Sequence, residues 1–384
     1  MLTRRLGPLL SGSKASVLLL GPRQTGKSTL MHSLAPRVSI NLADEETFLR
    51  FASNPGELRA RLSALPGGTR SVVLVDEVQR LPSLLNTVQA VIDESPERFR
   101  FLLTGSSARK LRRGNANLLP GRVHSYRLGP IVAGEVVYAL AARDVLSTGT
   151  LPGVLTTTDV KERQKTLTSY AATYLREEVQ AESLTRSLEG FSRFLTTVAE
   201  TSGRFLDVSK LAAAAMVPRA SVNRWIEVLE DTLLVRRVES FARSATRRLV
   251  QHPKLYFFDG GVLNGLLGNF QVSQDRIGWL FEHLIANQIL DGAASLDKSV
   301  RVSTFRTEHG AEVDFIVEWN KVIWAIECKA SSRVRAADLG GLSRFADYLG
   351  KRHEARVFYL GSEARVEGGV RVLPWQEGLK EMGF

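Results

Sequence analysis

Three short apolar runs punctuate the first hundred residues: Ser16–Leu20 (SVLLL), Ser71–Val75 (SVVLV) and Phe99–Leu103 (FRFLL). Each is too short for a buried helix. None shows the regular polar alternation of a strand with one wet face. Such runs fit strands covered on both sides, in a mostly parallel, doubly wound α/β sheet with helical segments between them. A helix is expected through Gly134–Leu146, and the STGTLPG stretch at Ser147–Gly153 reads as a loop. The pattern then changes to helical spacing. Tyr170, Tyr174, Leu175 and Val179 form one stripe, and Phe191, Phe194, Leu195 and Val198 a second. Both read as packing surfaces. Between Asp207 and Phe241 the expected elements are a short helix (Val208, Leu211, Ala212, Ala215), a break at Pro218 and a second helix (Val222, Trp225, Ile226, Leu229) capped by Ser221. Two short strands follow, Leu233–Arg237 and Val238–Phe241. Farther on, strands are expected at Lys254–Asp259, Val302–Arg306, Glu312–Glu318 and Val322–Ile326. Gly260-Gly261 and Thr307–Gly310 read as turns, and a helix runs from about Trp279 through Glu282 and Ile289.

With 384 residues, 44% of them hydrophobic, the chain can bury more than one core. It has one cysteine, Cys328, which excludes an internal disulfide framework. The formal charge of +11 suits nucleic acid or an acidic membrane surface as partner, as well as a basic enzyme with neither. No run approaches the ~20 apolar residues of a membrane span, and no secretory leader is legible. The expected compartment is the cytoplasm, with no integral membrane span.

The first apolar run leads into Gly21-Pro22-Arg23-Gln24-Thr25-Gly26-Lys27-Ser28, which satisfies G-x-x-x-x-G-K-[ST] in full, with Thr29 and Leu30 opening a helix. Glycines let backbone N–H groups close around phosphate oxygens. Lys27 is placed to reach the β- and γ-phosphates, and the Ser28 hydroxyl to ligate Mg²⁺. The second run ends in Asp76-Glu77. Two acids at the tip of an apolar strand require a cation or water. Asp76 suits Mg²⁺, directly or through water, and Glu77 suits polarisation of the attacking water. The third run ends in Thr104-Gly105-Ser106-Ser107, where Thr104 and Ser106 are both candidates to touch the γ-phosphate or the water. The cofactors implied are ATP and Mg²⁺.

The sequence GPRQTGKS, VVLVDEVQ, FLLTGSSARKL and LLPGRVHSYRLGPI, in that order, resembles the AAA-superfamily ATPases that carry a C-terminal domain of unknown function, number 4143. The resemblance spans nearly the whole chain. It implies that DEVQ is the Walker B motif, that TGSS holds the sensor position, and that the L-x-G-R element falls on Leu119–Arg122. Arg122 then becomes the arginine that senses phosphate in its own or a neighbouring subunit, with Arg109, Arg112 and Arg113 as rivals. Such ATPases often assemble through the nucleotide interface, so a homo-oligomer is one expected partner arrangement.

Short helix, turn, helix and strand across 207–241 is the outline of a winged helix-turn-helix. If it reads DNA, Ser221, Asn223 and Arg224 face the groove, and Arg219, Arg236 and Arg237 serve phosphates, with Arg243, Arg247 and Arg248 adding charge. The competing reading is a packing unit in which Arg224 pairs with Glu227 or Glu230. Toward the C-terminus, Asp314 lies inside one expected strand and Glu327-Cys328-Lys329 ends the next. Period-two geometry turns Glu327 and Lys329 to one face and Cys328 to the other. This set resembles the PD-(D/E)XK nuclease superfamily, although Val313-Asp314 stands where a proline-aspartate pair is usual. The resemblance implies Asp314 and Glu327 as Mg²⁺ ligands, Lys329 as the group beside the water or phosphate, and Glu282 as the acid from the helix. His283 and His309 have no zinc-site spacing.

The expected organisation is an AAA-type P-loop core at 1–146, a helical linker at 147–200, a winged-helix-like segment at 201–250 and a restriction-endonuclease-like α/β domain at 251–384. Two functions fit it. One is an ATPase whose nucleotide state is coupled to a nucleic-acid-binding or nuclease-like module. The other is an ATP-controlled switch that binds a protein partner through a noncatalytic nuclease-like fold.

Overall fold

The computed structural model of the protein describes residues 2–67, 69–106, 119–181, 188–241 and 252–384. Ser107, Arg109, Arg112, Arg113, Arg243, Arg247 and Arg248 lie outside the described residues, as do the side chains of Tyr174, Leu175 and Val179. The chain divides into two units. One comprises Met1–Gly129, Asp231–Leu234 and Ala294–Asp297, the other Pro130–Glu230, Val235–Ala293 and Lys298–Phe384.

The first unit is built on a five-stranded sheet of β1 (Ser16–Leu20), β2 (Val38–Asn41), β3 (Ser71–Asp76), β4 (Phe99–Gly105) and β5 (Val123–Arg127), in the order β2-β3-β4-β1-β5. Every neighbouring pair is parallel. Alternate residues explain the apolar runs, with Arg100 the one charged exception, its guanidinium held by Ala15 O and Leu10 O. Leu18, Val73, Val75, Phe101 and Leu103 enter one core with Phe51, Leu58 and Val88 from the helices. Val17, Leu19, Leu74 and Leu102 enter another with Leu6, Leu10, Leu30 and Met31. Both faces are dry, so neither needs polar positions. The register sets Leu20 beside Gly105 and Asn41 beside Asp76, which brings the carboxyl ends of the central strands to one edge. That edge is where open α/β sheets bind ligands.

The second unit carries the helices Val160–Ala181, Leu188–Glu200, Val208–Ala215 and Arg219–Asp231, and a mixed eight-stranded sheet. Its strands are β6 (Val235–Ser240), β7 (Lys254–Phe257), β8 (Arg301–Arg306), β9 (Glu312–Trp319), β10 (Val322–Lys329), β11 (Glu354–Tyr359), β12 (Arg365–Glu367) and β13 (Val370–Pro374). Their order is β12-β13-β11-β10-β9-β8-β6-β7. The helix Ile277–Ser295 supplies Phe281, Ile285 and Ile289 to the buried interior. Among the described residues, no helix is long and apolar enough to cross a membrane.

Several local expectations need correction. The helix expected over 134–146 is a 3-10 turn at Ala133–Glu135, an irregular link, and then a helix at Ala142–Thr148. Val137 and Tyr138 both have positive φ, and Tyr138 N–H bonds to Ala133 O at 2.7 Å, closing the turn. β-Branched and aromatic residues favour helix weakly, and tertiary bonds decide the link: Tyr138 donates its hydroxyl to Phe384 O, and Gln376 bonds to Leu140 O. The loop expected at 147–153 yields to helix at both ends, since Pro152 opens the helix Pro152–Thr156. Gly260 and Gly261 begin the helix Gly260–Leu267 under an Asp259 cap, where a turn was expected. A side chain at Gly261 would stand 2.1 Å from Thr148 O, so close packing dictates this glycine. Ser221 is no cap. Its N–H bonds to Pro218 O at 2.9 Å inside a helix that starts at Arg219. The two short strands of 233–241 are one, β6.

Candidate functional site

The P-loop leaves β1 at Leu20 and turns through Gln24 (φ 63°) and Gly26 (φ 87°) into the helix Lys27–His32. Gly21 passes so close to β5 that a Cβ would lie 2.1 Å from Leu128 O. The loop is braced from within and below. Thr25 Oγ1 donates to Pro22 O at 2.9 Å, and Arg4 donates to Thr25 O at 2.7 Å and to Gly129 O at 2.8 Å. Lys27 is buried, with Nζ on Gly21 O at 2.9 Å and Pro22 O at 2.8 Å. Burial pulls its ammonium below the ordinary value. Glu77 and Asp76 oppose that shift electrostatically, and Arg23 adds to it. Ser28 and Thr29 occupy the first helical turn.

At the ends of β3 and β4 the acids are held by a hydroxyl and an amide. Thr104 donates to Asp76 Oδ1 and accepts from Glu77 N–H at 3.1 Å. Gln79 donates to Glu77 Oε2 and to Ser106 Oγ, the latter at 3.0 Å. Ser106 also reaches Glu77 Oε2 at 3.4 Å. The two sensor candidates therefore touch different acids, Thr104 the Asp76 carboxylate and Ser106 the Glu77 carboxylate. Glu77 sits at φ 56°, a backbone conformation uncommon for non-glycine residues. Arg4 and Gln79 were not singled out in the sequence. Gln79 stands two residues after Glu77, and that proximity was the available signal.

Arg122 requires a correction. Val123 pairs with Ser16 at the amino end of β1, whereas the P-loop follows the carboxyl end. Five or six strand residues separate the two levels, roughly 17–20 Å. Arg122 instead forms a two-point ion pair with Asp93, at 2.6 and 2.9 Å. Its expected role at the phosphate of its own subunit does not hold.

In the second unit, β9 and β10 run antiparallel with Ile326 opposite Phe315, which carries Glu327 next to Asp314. Asp314 Oδ2 accepts the Cys328 N–H at 2.7 Å, and Lys329 Nζ bonds Glu327 Oε1 at 2.8 Å. Glu282 joins them from the helix Ile277–Ser295, and its charge acts on both acids. Burial raises the Asp314 carboxyl well above its ordinary range, and Glu327 and Glu282 push it further. Burial raises Glu327 as well, against the pull of Lys329. Burial also pushes the Cys328 thiol up, so it is no ready nucleophile. The four residues singled out in the sequence thus converge. Three more were missed. Lys254 Nζ lies 2.9 Å from both Glu282 Oε1 and Glu312 Oε1, and Tyr256 donates its hydroxyl to Glu282. A lone lysine opening the apolar stretch KLYFF was the signal. Among the described residues, no three acid, histidine or cysteine side chains stand as a metal-holding group.

A separate buried polar chain explains His283. Arg236 bonds Asp291 at 2.9 Å and Asn287 at 3.3 Å, and Asn287 bonds Phe257 O and faces His283 Nδ1. Arg236 is therefore held in this buried chain, away from the phosphate role expected of it, whereas Arg237 forms an exposed pair with Glu230 at 2.7 Å. Burial, with Arg236 adding, drives the His283 imidazole down to about 3, while burial pushes nearby Asp259 up to about 6 against three backbone N–H donors. A lowered histidine contributes stability above its ordinary value of 6.5 that is lost as pH falls toward 3. A raised aspartate works the other way, losing stability as pH rises through 6. His283→Leu should therefore gain on wild type by about 1.4 kcal/mol for each pH unit below 6.5, down to about pH 4. Urea unfolding of both proteins across that range checks this, and a constant difference contradicts it. His309 is exposed.

Comparison with known proteins places three family models along the chain. Residues 13–137 match the AAA domain, 140–273 a domain of unknown function (DUF8612) and 277–377 a domain of unknown function (DUF4143). Uncharacterized proteins of Mycobacterium bovis and Mycobacterium tuberculosis are each 28% identical over 323 residues, which is 82% of this chain and 70% of theirs. Among solved structures, AMPPCP-bound DnaA from Aquifex aeolicus is 13% identical (59% of this chain, 86% of that one, TM-score 0.30). A DNA polymerase III gamma subunit-related protein from Thermotoga maritima is 14% identical (59% and 97%, TM-score 0.23). Both are too remote to inform the site. The chain carries an AAA domain followed by a DUF4143 domain.

Proposed function

We propose that this protein is a Mg²⁺-dependent ATPase whose nucleotide state controls a nucleic-acid-binding module built on a nuclease-like sheet. The observation that carries the first half is the juxtaposition, at one sheet edge, of buried Lys27 with an acid pair fixed by Thr104, Gln79 and Ser106. Lys27 exchanges its two loop carbonyls for phosphate oxygens. Gly21, Pro22, Arg23, Gln24, Thr25 and Gly26 wrap the phosphates, and Thr29 closes the turn behind them. The donor set suits the cation: the Ser28 hydroxyl and the Asp76 carboxylate are hard oxygen ligands, and Thr104 fixes one oxygen of that carboxylate. Bound Mg²⁺ neutralises charge on the phosphates. Glu77 accepts the proton of the attacking water, and Gln79 and Ser106 determine where its carboxylate points. Removal of Mg²⁺ with EDTA should abolish turnover measured by phosphate release. Persistence of turnover would sink the reading.

Nucleic-acid binding is favoured by the order of elements in the second unit. The helices Leu188–Glu200, Val208–Ala215 and Arg219–Asp231 precede the antiparallel pair β6–β7, and Phe205 bridges to Lys254. This order of elements supports a winged-helix reading. Val222, Trp225, Ile226 and Leu229 face inward, while Arg219, Asn223 and Arg224 are exposed and Ser221 is half-buried. Arg219→Ala should weaken binding of labelled duplex DNA evenly across sequences and reduce the salt slope by about 1. Asn223→Ala should alter sequence preference instead. Unchanged anisotropy titrations for both variants would favour the other reading, a protein-binding switch.

A further inference from the structure

The acid cluster of the C-terminal sheet has one feature that a metal-dependent nuclease centre does not need. Lys254 is 3% exposed and carries its ammonium into the cluster from β7. Its Nζ lies 2.9 Å from both Glu282 and Glu312, and it sits 4.9 Å from the centre of the Phe205 ring. Glu282, the acid the nuclease resemblance assigns to the helix, is bonded by Lys254 and by the Tyr256 hydroxyl through the same oxygen. Glu312 is shared between Lys254 and Arg306, the latter at 3.6 Å. Glu327 keeps Lys329 at 2.8 Å on one oxygen, while its other oxygen, Oε2, is buried and has no hydrogen-bond partner.

The charges decide between two occupants. Glu282, Glu312, Asp314 and Glu327 bring four carboxyl groups together. Lys254, Lys329 and Arg306 bring three cations. A divalent ion needs several acidic oxygens turned toward one point. Two of these four acids are already engaged by Lys254, and a second cation beside its buried ammonium meets direct repulsion.

We infer that Lys254 takes the place of a divalent ion in this cluster, so that the C-terminal sheet is a lysine-filled binding module and not a cutting one. The inference rests on the nuclease-like reading of Asp314, Glu327 and Lys329. It assigns Lys254 a positioning role: the lysine holds Glu282 and Glu312 in place and occupies the volume in which a metal would have to be coordinated. The single orphaned oxygen on Glu327 is the remnant of the donor set.

The test uses full-length protein without nucleotide and Mn²⁺ alone as the probe. Calorimetric titration of wild type and Glu327→Gln with Mn²⁺ should give indistinguishable isotherms. A one-to-one site in wild type that Glu327→Gln removes overturns the inference, and this comparison requires no change at Lys254. Lys254→Met keeps the length of the stem and removes the charge. This variant should acquire Mn²⁺ binding, seen as a thermal midpoint several degrees higher in Mn²⁺ than in EDTA, and Glu327→Gln in the same background should erase that rise. A folded Lys254→Met protein with no Mn²⁺ response also overturns it. DNA and RNA binding is measured in parallel on wild type. Absence of any nucleic-acid binding counts against the module's proposed function, whereas Mn²⁺-dependent cleavage by wild type that Lys329→Ala abolishes counts against Lys254 as resident cation.

Discussion

Glu77→Gln is expected to bind ATP as tightly as wild type and to hydrolyse it about 100- to 10,000-fold more slowly, the range over which a positioned general base acts. The substitution keeps the size of the side chain and removes its ability to take a proton. Lys27→Ala should behave differently. On the proposed reading its ammonium serves the phosphates in both ground and transition states, so nucleotide binding weakens along with turnover. The pair of variants separates the two roles. Fluorescent-nucleotide titration gives Kd and phosphate release gives kcat. A Glu77→Gln protein that turns over ATP near the wild-type rate would remove Glu77 from the mechanism, even though the Gln79 and Ser106 hydrogen bonds single it out. The local geometry makes orientation part of this expectation. Glu77 is held from both sides of the strand end, its N–H by Thr104 and its carboxylate by Gln79. The base function proposed for it therefore depends on partners separated from it by 27 residues and by 2 residues in the chain.

Arg122→Ala is expected to leave nucleotide affinity unchanged and to lower turnover by about 1,000-fold or more, provided the active form is an assembly in which Arg122 serves the site of an adjacent copy. Its position at the amino end of β5, away from the P-loop of its own subunit, leaves only that arrangement for a phosphate-sensing arginine. The Asp93 pair is the partner it must leave. Exposed pairs of this kind are worth little, so the exchange has a small cost. Mixing Arg122→Ala with Lys27→Ala is the decisive measurement. Each inactive protein supplies what the other lacks, and activity above the sum of the two indicates composite sites. No recovery on mixing, with full activity in Arg122→Ala alone, would assign the residue to structure.

The sequence by itself determined those features whose physics is local. An apolar run of five residues needs two dry faces, which names β1, β3 and β4 before any contact is known, whereas the edge strands β2 and β5, half exposed and polar, carry no such run. A G-x-x-x-x-G-K-S loop carries its own backbone requirement, so the phosphate-binding turn follows from its residues. The helical stripes of Phe191, Phe194, Trp225 and Leu229 likewise found their interior, because a periodicity of 3.6 residues commits one face to burial. Only the tertiary structure decided what depends on register and on distant partners. Arg122 immediately precedes β5, but which end of the sheet that is depends on pairing with β1, more than a hundred residues away. The link at 136–141 is bent by bonds from Gln376 and Phe384, and no local propensity encodes them. Lys254 became the cation of the acid cluster because β7 brings it to Glu282 and Glu312, 28 and 58 residues distant. A buried charge is stable only where its counter-charges are, and that condition is set by the fold as a whole.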